Sequence, residues 1–178
     1  MPHWLMRTTN PSRTASEIYG PIVASARQPT FFAAWGVPDT TEGRFEMLVL
    51  HVVLVMRRLE QVGAAGRTLS RALAETFITD MDDNMREIGI GDLAVPRKIK
   101  RAAAALMDRH RDYGAALAEG DCEALAAAIS AAIAVGRDIP GLDCTALASY
   151  TERLSGVLAI TADTECLAGK FPLPWSAV

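Results

Sequence analysis

Three side chains able to carry charge or protons, Arg44, His51 and Arg58, recur every seven residues in and beside the most apolar stretch of the chain, Met47-Leu-Val-Leu-His-Val-Val-Leu-Val-Met56. Seven residues make almost two helical turns, so on a helix the three share one stripe. A second stretch, Asp80-Met-Asp-Asp-Asn-Met-Arg-Glu87, supplies carboxylates. Only a short connection about Gly63–Ala65 separates the two segments, so their helices should pack antiparallel. Hairpin counting then sets His51 near Asp80, and Arg44 near Asp83 and Glu87. The expected result is a polar seam inside an apolar bundle. Such a seam can fix helix register as a satisfied network, line a polar groove, or do acid–base work through His51.

Other constellations fail on spacing. An EF-hand loop opening at Asp80 wants glycine where Met85 stands and glutamate where Gly91 stands. An aspartate-rich magnesium motif needs a second acidic cluster facing it, and the sequence has none. Gly89-Ile-Gly91-Asp92 lacks the glycine spacing, the preceding strand and the lysine of a phosphate loop. Gly89 reads instead as a helix C-cap, Gly91 as a turn residue and Asp92 as a cap or turn into the next helix. Cys122, Cys144 and Cys166 form no CxxC pair. Asp121-Cys and Asp143-Cys look like two similar helix openings with aspartate N-caps, and three unpaired cysteines suit reduced thiols in a cytosol-like compartment. There is no nucleophile elbow, HExxH motif or credible Cys–His pair. The expectation is a protein that is not an enzyme and takes no metal or cofactor.

Two groups of residues suit binding better than chemistry. Arg97, Lys98, Lys100 and Arg101 place four cations in six residues. On a helix they form a solvated face, or a contact for ribosomal RNA, anionic lipid headgroups or an acidic partner. Phe31, Phe32, Trp35, Met81 and Met85 are either core or an adaptable apolar surface that exchanges partners.

The elements that must position these groups are helices. Thirty of the 178 residues are alanine, half are hydrophobic, and no segment alternates polar and apolar for long. Helices are expected over about 14–27, for a turn after Pro29, over 42–61, 65–88 and 95–119, and from Asp121 and near Asp143. Pro21 should kink the first or reset its start. This is an all-α, single-domain bundle of six to seven helices with antiparallel long helices. Residues 1–13 are read as a flexible N-terminus, 14–170 as the helical domain and 171–178 as an extended tail, because Pro172 and Pro174 forbid regular helix there. The ten-residue apolar run is too short to span a bilayer. Residues 1–13 lack the apolar core of a secretory signal and, with arginines but no acid before Glu17, resemble a short mitochondrial presequence. A net charge of −3 speaks against DNA or a general nucleic-acid partner.

Taken in order, these segments resemble the ubiquinol–cytochrome c chaperone family, which includes the mitochondrial assembly factor for respiratory complex III. The resemblance runs through Ile18-Tyr19, Ala26-Arg27-Gln-Pro29, Gly36-Val-Pro-Asp-Thr40, Gly43-Arg-Phe-Glu46, Leu50-His51, Arg57-Arg-Leu59 and Asp80-Met-Asp82. Its most specific piece is Met85-Arg-Glu-Ile-Gly-Ile-Gly-Asp-Leu-Ala-Val95, followed by the basic helix. It covers about Ile18–Arg101; beyond that, Leu106-Met-Asp-Arg109 stands where the family commonly shows Phe-Tyr-Gly-Arg. The resemblance implies a helical, non-enzymatic factor for cytochrome b biogenesis, whose client is the newly made subunit. A ribosome or anionic membrane surface is the candidate further partner. It also implies a place in a bacterial cytoplasm or at the inner membrane, on the matrix side if eukaryotic. The alternative is a helical protein- or RNA-interaction module that works through the basic helix and has no cytochrome client.

Overall fold

The computed structural model describes residues 10–89, 91 and 93–173. Among them are eight helices and no strand: α1 (Pro11–Ala26), α2 (Pro29–Ala33), α3 (Thr41–Gln61), α4 (Ala64–Glu87), α5 (Val95–Glu119), α6 (Cys122–Ala134), α7 (Cys144–Ala159) and α8 (Asp163–Leu167). The single helical domain is as expected, with one short helix more. No described helix is long and apolar enough to cross a membrane.

The organising element is α3. The Thr40 hydroxyl caps it by accepting from the Gly43 amide at 3.2 Å, and every residue from Met47 to Met56 is buried. A helix apolar on all sides needs neighbours on all sides, and α3 has α1, α4, α5, α6, α7 and α8 around it. Its start is pinned by a close approach. A side chain at Gly43 would overlap the Pro38 carbonyl, so only hydrogen fits there. At its far end Gly63 takes φ +94°, and the chain reverses into α4.

The two aspartate caps form as expected. Asp121 accepts from the Ala124 amide and Asp143 from the Ala146 amide, both at 2.9 Å. Three boundaries differ. The Asn10 side chain caps α1 by accepting from the Ser12 amide at 3.1 Å, with Pro11 at the first helical position, so residues 11–13 are helical rather than part of a loose terminus. The same helix runs on through Pro21 instead of restarting there. The short α8 was not foreseen; it is held by α3, as described below. Residues 171–173 are non-helical, as expected, and the rest of the anticipated tail and residues 1–9 lie outside the described residues.

One helix outgrows its core. The last fully buried side chain of α4 is Phe77, and the ten helical residues after it are half-buried or exposed. The final, nearly three turns of α4 therefore carry the connection to α5 out to the surface.

Candidate functional site

The seven-residue stripe on α3 exists, but it faces α7 rather than α4. His51, 1% exposed, lies with Nδ1 2.7 Å from the Met47 carbonyl and Nε2 2.6 Å from the Tyr150 hydroxyl. A carbonyl only accepts, so Nδ1 carries the proton and Nε2 accepts from Tyr150. Burial lowers the imidazole pKa to about 4, which keeps it neutral near pH 7. Two turns on, Arg58 donates from Nε to the Leu158 carbonyl at 2.9 Å. Its Nη2 donates to the Thr161 carbonyl and to Asp163, both at 2.6 Å. Arg58 thus satisfies carbonyls at the C-terminus of α7 and ties down α8. The pairing of His51 with Tyr150 and Arg58 with Leu158 makes α3 and α7 parallel. At the other end, Arg44 pairs with Asp39 at 2.6 Å and lies 5.9 Å over the Phe32 ring.

The expected cation–carboxylate seam is therefore corrected on both sides. Phe45 on α3 meets Phe77 on α4 at 6.0 Å between ring centres, which sets the hairpin register. Counting back through that contact puts residue 42, not His51, opposite Asp80. Asp80 instead accepts from the Tyr19 hydroxyl of α1 at 2.8 Å. Asp80 and Asp83 line an open groove of about 440 Å³ between α1 and α4, with Ser12, Ser16, Thr76 and Thr79. Neither Asp83 nor Glu87 pairs with Arg44, whose carboxylate is Asp39. Asp82 is bound by Arg86 at 2.6 Å. No group of described residues could hold a metal ion.

The aromatic residues divide. Phe31 is fully buried, 5.7 Å from the His51 ring and 5.1 Å from Tyr150, so it is core rather than partner surface. Phe32 and Trp35 are half-buried against that core, with Trp35 5.8 Å from Tyr150. The Trp35 carbonyl accepts from the Asp143 amide at 2.9 Å, which locks the loop before α3 to the start of α7. Met81 and Met85 are half-buried on the projecting end of α4. Arg44 over Phe32 and Phe45 on Phe77 place α2, the start of α3 and the end of α4 at one end of the bundle.

At that end the α4–α5 connection carries the features that sequence reasoning only partly saw. Gly89 takes φ +78° and its amide donates to the Arg86 carbonyl at 3.0 Å, the C-cap expected of it. The Gly91 carbonyl accepts from the amides of Ala94 and Val95 and so opens α5; Asp92 lies outside the described residues. Ile88 is 69% and Leu93 100% exposed. Arg97, Lys98, Lys100 and Arg101 follow, all exposed, and none makes an ion pair with a described residue. The signal for the apolar pair was a large aliphatic residue on each side of the two glycines, where turn chemistry has no use for one.

A second missed pair joins the recognisable Gly43–Glu46 segment to the Leu106–Arg109 segment, where the chain departs from the family pattern. Arg109 donates from Nε and Nη2 to the two carboxylate oxygens of Glu46, each at 3.1 Å. Burial raises the Glu46 pKa, and the guanidinium offsets this only in part. Leu106, at the head of the departing Leu106-Met-Asp-Arg109 segment, is buried in the core, while Met107 faces solvent.

A family model described as ubiquinol-cytochrome C chaperone matches residues 33–175. The match therefore extends well past Arg101, through the alanine-rich C-terminal helices. Among solved structures, the crystal structure of the Cbp3 homolog from Brucella abortus superposes with a TM-score of 0.81 at 35% identity, covering 93% of this chain and 90% of that one. No protein of curated function matches significantly.

Proposed function

The chain belongs to the ubiquinol–cytochrome c chaperone family, and from that premise we propose that it is a non-enzymatic assembly factor whose client is newly made cytochrome b. The observation that carries this reading is the family match through residues 33–175. The polar interior is consistent with it. His51, the acid–base candidate of the α3 stripe, is sealed in the core with both nitrogens engaged, so it reaches no substrate. A chaperone for a membrane subunit needs an apolar surface rimmed by polar groups instead. Phe32, Trp35, Met81 and Met85 offer half-exposed apolar area at one end of the bundle, beside Arg44. We assign the client surface to that end. The factor works on the side of the inner membrane where cytochrome b is made.

The test is a strain lacking the gene. Its membranes should lose the b-type haem signal in reduced-minus-oxidised spectra, together with ubiquinol-dependent cytochrome c reduction, and the intact gene should restore both. Unchanged haem b and unchanged activity would overturn the proposal. A strain complemented with Phe32→Ala/Trp35→Ala, two half-buried positions, separates the surface from the role. Full restoration by that variant would remove these two residues from the client surface.

A further inference from the structure

We propose that the connection between α4 and α5 docks on an anionic bilayer surface. Ile88 and Leu93 enter the headgroup region, and Arg97, Lys98, Lys100 and Arg101 meet lipid phosphates. Two observations point to the same occupant. The first is apolar: two large aliphatic side chains flank a glycine turn at 69% and 100% exposure, beyond the last fully buried residue of α4. Core residues do not sit there, and the turn geometry, which Gly89 and the Gly91 carbonyl provide, does not require them. The second is electrostatic. From Leu93 to Met107 the sequence holds four cations and no acid, in a protein of net charge −3.

The faces of α5 agree with this. Val95 and Ala102 are buried and mark its inner side, while the four cations between them are exposed and make no ion pair with a described residue. Of the acids at the end of α4, Glu87 is exposed beside Ile88, and the other three are engaged elsewhere. Asp80 and Asp83 line the groove toward α1, and Asp82 is held by Arg86. A polyanion such as ribosomal RNA would use the cations but gain nothing from Leu93 or Ile88. A bilayer uses both, because its interface takes apolar side chains beside anionic headgroups. With two inserted side chains, docking is reversible, which suits a factor that must leave once its client is inserted. The inference does not depend on which subunit that client is.

Vesicle co-sedimentation of the full chain tests it. Binding to phosphatidylcholine vesicles containing phosphatidylglycerol should exceed binding to phosphatidylcholine alone and fall with added salt. Each cation removed should cost about fivefold in partitioning, so Arg97→Ala/Lys98→Ala/Lys100→Ala/Arg101→Ala should abolish measurable binding. Ile88→Ser/Leu93→Ser should weaken binding about tenfold or more with the cations intact. All six positions are exposed on one connection and one helix face, and unchanged circular dichroism and Tm will show that the variants fold. Protein that stays in the supernatant with anionic vesicles overturns the proposal. So does binding that survives Ile88→Ser/Leu93→Ser undiminished, or binding to single-stranded RNA that matches the vesicles and ignores those two residues.

Discussion

Two regions of this molecule hold cations near large apolar side chains, and they use them in opposite ways. Along the α3–α7 contact the buried polar side-chain atoms bond inside the protein. Nδ1 and Nε2 of His51 each have one partner, and the Arg58 guanidinium bonds two carbonyls and a carboxylate. No buried side-chain nitrogen or oxygen among the described residues lacks a partner. At the α4–α5 connection four cations have no ion-pair partner among the described residues, and Leu93 touches little but solvent. Burial without satisfaction is costly, so the first region must be closed to be stable. Exposure of a connected apolar and basic surface is kept only where something outside the chain completes it. Charge beside apolar residues is therefore not in itself a site; the presence or absence of partners separates scaffold from interface.

The contrast predicts where substitutions hurt. Phe31 packs edge-on against His51 and Tyr150 and is fully exposed nowhere, so Phe31→Ala should cost about 3–5 kcal/mol in urea unfolding. A cost below about 1 kcal/mol would favour the partner-surface alternative that the sequence reading left open for Phe31 beside the core.

The next effect is in pH. The folded His51 pKa is about 4, below the unfolded value near 6.5, so between those values the unfolded chain binds more protons. The stability due to keeping this imidazole neutral is complete above pH 6.5 and is lost as the pH falls. The loss should reach about 2 kcal/mol at pH 5 and about 3 kcal/mol at pH 4. The groups bonded to or stacked on the ring are Met47, Tyr150 and Phe31, none of which ionises in that window. Comparing the native chain with His51→Gln isolates the term, because Gln does not titrate. Equal acid slopes for the two would show that the imidazole takes up its proton without leaving the fold. Tyr150→Phe, which leaves Nε2 buried with no donor, should cost about 1–3 kcal/mol at pH 7.

Much of the fold was legible because its signals are local. Aspartate caps, the Gly63 reversal and the all-round apolar run of α3 each report on their own few residues, and helix existence followed. The partners of the α3 stripe were not legible. Hairpin counting supposes that the helix next in sequence is the neighbour that matters, yet α3 has six neighbours, and the one facing His51 is α7, 99 residues away at Tyr150. The Glu46–Arg109 pair was hidden for the same reason, although Glu46 belongs to a segment that could be recognised. Family resemblance in fact shows more than local signals here. Leu106-Met-Asp-Arg109 departs from the usual pattern, but Arg109 is retained and its guanidinium grips Glu46 of the Gly43-Arg-Phe-Glu46 segment. The substituted positions are absorbed, Leu106 into the core and Met107 at the surface.

The smallest stability effect sharpens the comparison most. Val135 is also apolar and exposed, at 68%, yet its exposure follows from its place at the end of α6, where it takes φ +49° and the helix stops. The charges that follow it, Arg137 and Asp138, are one of each sign rather than a run of cations like Arg97–Arg101 beside Leu93, so exposure alone does not make an interface. If the α4–α5 connection is an interface rather than a weakly packed piece of fold, Ile88→Ser and Leu93→Ser should change the unfolding free energy by less than about 0.5 kcal/mol each, because neither side chain is buried in the free protein. The same substitutions should act on vesicle binding, where burial occurs. A loss of more than about 1 kcal/mol in the free protein would mean that both residues already contribute to folding, and the connection would then belong with the α3–α7 contact as scaffold. Near-zero change in stability together with weakened binding is the one pair of results that a scaffold cannot give.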